Sequence, residues 1–164
     1  MAYLHVEPRI GAQPIGTTST TKRHPLGTMV RATDLTLGEG YFMYAKASIA
    51  LLAGDAVWIK GATQFAAKVS VGNAVTAGDI AFAQVAFAAD EYGWFQRTGS
   101  PTIRLTSSTE KETPLYVNAS AGVLSGLTNS IVVLGVVAVT SVTTTVGAVQ
   151  CRASFPVLYK GEVG

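Results

Sequence analysis

A chain of 164 residues is long enough to hold one domain with a true core. Hydrophobic residues make up 48% and charged residues only 13%, about half the usual charged share of roughly 25%, so Thr, Ser and Ala cover much of the exterior, or partners cover part of it. A net charge of +2 with no basic stripe gives no case for a nucleic-acid binder, and the longest apolar run, residues 131–139, is about half of the roughly 20 residues of a membrane helix.

Residues 1–25 read as an extended arm. Pro8, Pro14 and Pro25 fix backbone angles and remove donors. The polar run 17–21 adds no periodic apolar face, so the arm is either mobile or laid against another chain. Its charges are mildly basic: Arg9, Lys22 and Arg23, with His5 and His24, stand against Glu7. There is no charged start followed by an apolar core, so no signal peptide is expected.

Residues 26–33 and 41–46 alternate as strands, separated by a turn at Gly38-Glu39-Gly40. Ala53-Gly54-Asp55 opens a third strand over 56–60, in which Val57 and Ile59 share one face and Trp58 and Lys60 the other. Residues 65–71 pair back as its hairpin partner. A second Ala-Gly-Asp turn at 77–79 opens the apolar run 80–89, and an acidic turn at Asp90-Glu91 leads into the aromatic run 92–97. Ile80 and Phe82 lie on one face of this stretch, Val85 and Phe87 on the other. Tyr92 and Trp94 share a face and Phe95 takes the opposite one. A strand apolar on both faces must be covered twice. The reading therefore offers Phe82, Phe87, Tyr92, Trp94 and Phe95 as a subunit interface, with core packing and a sugar-stacking platform as the other uses of the rings.

Residues 102–106 alternate cleanly, with Ile103 and Leu105 inward. Residues 114–119 and 123–124 flank a turn at Ser120-Ala121-Gly122. The β-branched run 131–139 reads as a strand buried on both faces. Residues 146–155 form the last long strand, which Pro156 stops, and 157–164 form a tail. One turn of helix is conceivable at 47–52, but no long stretch keeps a helical face. About ten short strands predict an all-β fold: a compact antiparallel β-barrel or β-sandwich over residues 26–156, with the extended arm before it.

Catalytic grammar is missing. Both histidines lie in the arm, where they cannot serve a nucleophile in the core of the fold. The acids fall in turns, where turn chemistry and solubility explain them. Asp90 and Glu91 supply too few oxygens for calcium. No phosphate-binding glycine loop is present. The single cysteine, Cys151, excludes an intrachain disulfide and a cysteine zinc site and reads as a buried small hydrophobe. No enzyme activity, metal or cofactor is expected.

Several stretches together resemble a known family. They are Leu26-Gly27-Thr28-Met29-Val30-Arg31-Ala32, Gly38-Glu39-Gly40-Tyr41-Phe42-Met43-Tyr44, Ala53-Gly54-Asp55-Ala56-Val57, Tyr92-Gly93-Trp94-Phe95-Gln96 and Leu134-Gly135-Val136-Val137. Over residues 26–140 the chain resembles the small structural proteins that tailed bacteriophages encode near their major capsid protein. The resemblance implies a capsid decoration, or cement, protein. Such a protein is made in the host cytoplasm, forms a homo-oligomer, commonly a trimer, and sits on the outside of the virion head. Its partners are the major capsid protein and copies of itself, with no nucleic acid and no membrane. The arm then contacts the capsid through Arg9, Lys22, Arg23 and His24. The alternative is a carbohydrate- or receptor-binding module of the virion surface that uses Trp58 or Trp94 as a stacking platform.

Overall fold

The computed structural model describes residues 4–5, 13–35, 37–61, 63–71, 79–127, 131–143 and 146–160. Among these residues the fold is all-β, with no helix. The strands are β1 (Leu4–His5), β2 (Met29–Asp34), β3 (Gly38–Ala47), β4 (Ala56–Lys60), β5 (Phe65–Lys68), β6 (Asp79–Ala83), β7 (Tyr92–Gln96), β8 (Thr98–Gly99), β9 (Thr102–Leu105), β10 (Pro114–Val117), β11 (Leu124–Ser125), β12 (Ile131–Ala138) and β13 (Gly147–Lys160). Residues 47–52 make bends and a single bridge, not a helical turn.

Strand pairing closes twice. The first ring runs β3–β5–β4–β6–β7 and returns to β3. The second runs β13–β12–β10–β11–β9 and returns to β13. The rings join where β13 pairs with β6 and with β8. Closure leaves few free strand edges, which suits a β-protein with little charge to protect them.

Three apolar clusters fill this frame. The first ring holds Met43, Ala45, Val57, Ile59, Phe87 and Phe95. The second cluster lies between the rings and inside the second, and includes Ile80, Phe82, Ile103, Leu105, Leu115, Val133 and Leu158. The third, with Ile15, Phe42, Tyr44 and Trp94, lies on the outer face of β3 and β7. The alternation read in residues 56–60 and 102–105 is the alternation observed.

The two rings are pinned together at Asp55, whose side chain is fully buried. Arg104 of β9 donates to its Oδ1 at 2.7 Å, Lys68 of β5 lies 3.1 Å from Oδ2, and the Leu52 N–H donates to Oδ2 at 2.8 Å. The Gly54 N–H donates to Ala83 O, and Gly54 O accepts from the Arg104 N–H. Gly122 makes room for this carboxylate: it takes φ +81°, and a Cβ there would stand 2.7 Å from Asp55 Oδ1. Asp79, the acid of the second Ala-Gly-Asp, likewise accepts from Arg97 at 2.7 Å. Each of these acids thus meets an arginine that follows the 77–98 stretch or closes it.

Two expectations about chain organisation need correction. Pro156 does not end the last strand: β13 continues to Lys160, and Val157, Leu158 and Tyr159 pair with β12. The proline is tolerated because it falls in a bulge, where a ladder donor is not required. There the register shifts between Leu134 and Val136, and Ser154, Phe155 and Pro156 stand opposite Gly135 alone. Residues 131–139 are not buried on both faces either. Ile131, Val133, Val136 and Ala138 point inward, whereas Leu134 and Val139 are exposed and Val132 and Val137 half-buried.

Candidate interaction surface

Aromatic residues of the 77–98 stretch do not form a surface. Phe82, Phe87, Trp94 and Phe95 are all buried inside the single chain, so the expectation that they face a second subunit is corrected. The two-sided coverage that their pattern demanded is real, but it comes from this chain's own clusters. Ile80 and Phe82 enter the cluster between the rings, while Ala81, Ala83 and Phe87 enter the first ring. Phe87 and Phe95 stack there at 4.6 Å. Tyr92, on the Trp94 face, is half-buried and stacks over Tyr44 at 6.4 Å. Trp94 cannot serve as a sugar platform, and Trp58 is half-buried under the Lys60 ammonium, 5.4 Å from its ring centroid.

Most of the described part of the arm, residues 13–25, is laid against its own chain rather than another. Arg9 lies outside the described residues. Residues 13–25 pack on their own chain, because Gln13 gives them a complete set of polar partners. The Gln13 N–H donates to His24 Nε2 at 3.0 Å, and Gln13 O accepts from Trp94 Nε1 at 2.8 Å. The side-chain oxygen accepts from the Tyr44 hydroxyl at 2.9 Å, and the amide donates to Thr17 O and Tyr92 O. His24 lies against Tyr44 and Trp94, with ring centroids 5.0 and 5.1 Å away. Burial pushes the Tyr44 phenol above its ordinary pKa; the bond to the Arg23 N–H and the Arg23 charge pull less strongly the other way. Ser19 bridges to Tyr92, and Leu4 and His5 pair with β2. Of the expected capsid contacts, Lys22 and Arg23 are exposed and His24 is half-buried as a clamp for Gln13.

What faces outward is a band on β12 and β13 that sequence reading missed. Val132 stands opposite Tyr159, and Leu134 opposite Val157, with these side chains on the outer face. Leu134 is 47% exposed, Phe155 47% and Tyr159 56%. Tyr41 of β3 extends the band, its ring centroid 5.8 Å from that of Phe155. The Arg97 guanidinium lies 5.4 Å from the Phe155 ring and supports it from within. Residues 131–159 contain no acid, and Arg152 is their one cation. Beside Leu134 runs an open groove of about 380 Å³ lined by Pro114, Val132, Leu134, Gly135, Val137 and Arg152. The signal that marks the band is the Phe155-Pro156 pair inside an alternating run: a proline in a strand implies a bulge, and a bulge re-aims its neighbours.

Comparison of the chain with protein-family models, with curated proteins and with solved structures gives no match. The chemistry of the molecule is therefore read from its own side chains. Among the described residues, no three or more His, Cys, Asp and Glu side chains group so as to hold a metal ion. No helix of the described residues is long and apolar enough to cross a membrane. Cys151 is buried in β13, and burial pushes its thiol pKa up to about 12. At neutral pH that thiol stays protonated and is a poor nucleophile. The arrangement offers contact surface and rigidity.

Proposed function

We propose that this chain is a capsid decoration protein of a tailed bacteriophage. It binds the outside of the head as an oligomer, a trimer in our reading, and braces neighbouring major capsid subunits. One observation supports a role in contact: a largely apolar band, from Tyr41 across Phe155 to Tyr159, stays exposed on a chain that buries Phe42, Tyr44, Phe82, Phe87, Trp94 and Phe95. Contiguous apolar surface of this kind marks an interaction site. Twin closed rings pinned at Asp55 suit a part that must hold its shape under load. On a lattice, many weak copies of one contact add up through avidity. The exposed Lys22 and Arg23 belong to the capsid-facing set in this reading.

The test is binding to expanded heads built from the major capsid protein of the phage that encodes this chain. The purified chain should co-sediment with those heads at a fixed stoichiometry and raise their disruption temperature. Absence of co-sedimentation at saturating concentration sinks the reading.

A further inference from the structure

We propose that the bulge face of β12 and β13 is where copies of this chain meet: Phe155 of one copy seats in the Gly135 groove of the next. This deepens the oligomer in the proposed function and rests on that reading for the head, not for the contact itself.

The first argument is conformational. Phe155 takes φ +44° inside a strand. That left-handed region is a true outlier for a bulky side chain. The other non-glycine residues with positive φ among those described are Gln64, Asp90, Ser108 and Glu112, all polar and all in turns. The left-handed kink, part of the bulge opposite Gly135, holds a half-exposed aromatic ring on the outer side of the sheet. Strain of this kind persists where surrounding structure enforces it, and it concentrates at sites of function. Here the Phe155 N–H is tied to Arg97 O at 3.1 Å, and the ring rests against Arg97 and Tyr41.

The second argument is shape. The same irregularity that raises Phe155 also cuts the groove. β12 loses register with β13 between Leu134 and Val136, and β10 loses register with β12 between Pro114 and Leu115. Gly135 sits at the centre of both shifts with φ +81°; a Cβ there would stand 2.7 Å from Ser154 O. The result is an apolar hollow of about 380 Å³, where roughly 150 Å³ already accommodates a benzene-sized ring. A ring in need of cover and a hollow able to take one lie side by side on one face.

Charge also fits a second copy of this chain as the occupant. A face that must meet itself cannot carry a charge cluster, because identical groups would oppose each other. Residues 131–159 contain no acid and one cation, Arg152, and the acid beside them, Asp79 opposite Val157, is already paired with Arg97 at 2.7 Å. Every copy offers both ring and hollow, so two copies can exchange the contact about a two-fold axis, and a head-to-tail series can close into a ring where its rotation allows.

Two variants test this. Phe155→Gly removes the ring and suits the left-handed backbone. Leu134→Asp places a charge in the hollow on an exposed position. Light scattering and sedimentation equilibrium over a dilution series should show wild type as an oligomer and each variant at least tenfold weaker in self-association. Circular dichroism should show the native β signal in both, and the melting temperature of dilute Phe155→Gly should not fall. Mixing the variants should restore association in part, because the ring of Leu134→Asp fits the open hollow of Phe155→Gly while the reverse contact stays lost. A wild type that stays monomeric at every concentration overturns the proposal. So does undiminished association of both variants. If the variants keep their oligomer but lose binding to heads, the face belongs to the capsid protein and the self-contact is wrong. If association depends on Phe155 while wild type ignores heads, the capsid reading fails and this contact stands.

Discussion

Asp55→Ala is the sharpest probe of how the two rings are held. The substitution leaves Arg104 and Lys68 without their shared carboxylate and the Leu52 N–H without its acceptor. Removing one partner of a buried ion pair costs about 3–5 kcal/mol. Side-chain exposures of 26% for Arg104 and 20% for Lys68 let both cations regain some water, which places the charge loss at or below the bottom of that range. The lost turn hydrogen bond adds about 1 kcal/mol. A total near 3 kcal/mol lowers the melting temperature by roughly 6–12 °C for a chain of this size. Asp55→Asn keeps an acceptor for Leu52 and should recover about 1 kcal/mol of that loss. Urea unfolding of the three proteins at low concentration reads the difference, with the slope unchanged if the transition stays two-state. Adding Arg104→Met to Asp55→Ala should cost less than the sum of the two single changes, because the orphaned charge is gone. A loss below about 0.5 kcal/mol for Asp55→Ala, in the range of an ordinary surface change, would refute the idea that this acid pins the rings.

Further expectations follow from the same contacts. Gln13→Ala removes the side-chain partners of Tyr44, Thr17 and Tyr92; it should free residues 13–24 to proteolysis and change Trp94 emission while the rings stay folded, and an unchanged digestion pattern would count against the clamp. Cys151 should resist alkylation by iodoacetamide at pH 8 in the folded protein and react fully in urea, since its pKa is raised from 9.0 to about 12 by burial. The sign follows from linkage: between these values the unfolded thiol has lost its proton and the folded one has not, so stability falls as pH rises from about 9 towards 12. Deleting residues 157–164 removes the buried Leu158 and its pairing with Val133, so it should cost at least the roughly 2–5 kcal/mol of a large core truncation; a deletion that melts like wild type would restore the view of this segment as a tail.

How much of this was legible in the sequence follows from the range of each interaction. Alternation is local, so the strands at 56–60 and 102–105 and the split of Trp94 from Phe95 could be read directly. The demand that residues 80–87 be covered on both faces was also legible. What covers them was not, because ring closure joins strands far apart in the chain, and a pattern of apolar residues does not say whether its partner is the same molecule. Gln13 escaped for the same reason: Tyr44 and Trp94 lie 31 and 81 residues away from it. Pro156 misled because a proline is read as a stop, and the bulge that admits it is a property of the pairing with Gly135.

Low charge was the first anomaly of this chain, and the structure relocates its cause. Most of the apolar surplus goes into three clusters, including the aromatic hairpin whose rings first suggested a seam. Exposed Leu35, Ile49, Leu52, Val71 and Leu127 lie outside the band on turns, bends or loops, and isolated apolar residues on a surface are ordinary. Tyr41, Leu134, Phe155, Val157 and Tyr159 are different, since they adjoin one another around a backbone conformation that a phenylalanine adopts only under constraint. The contiguous apolar surface that composition calls for therefore lies in residues 131–159 and not in residues 77–98. Covering that band should leave a thermodynamic mark: assembly should carry a negative heat-capacity change, and Phe155→Gly should reduce it. A dilution calorimetry signal independent of temperature in wild type would mean that the band stays wet in the oligomer.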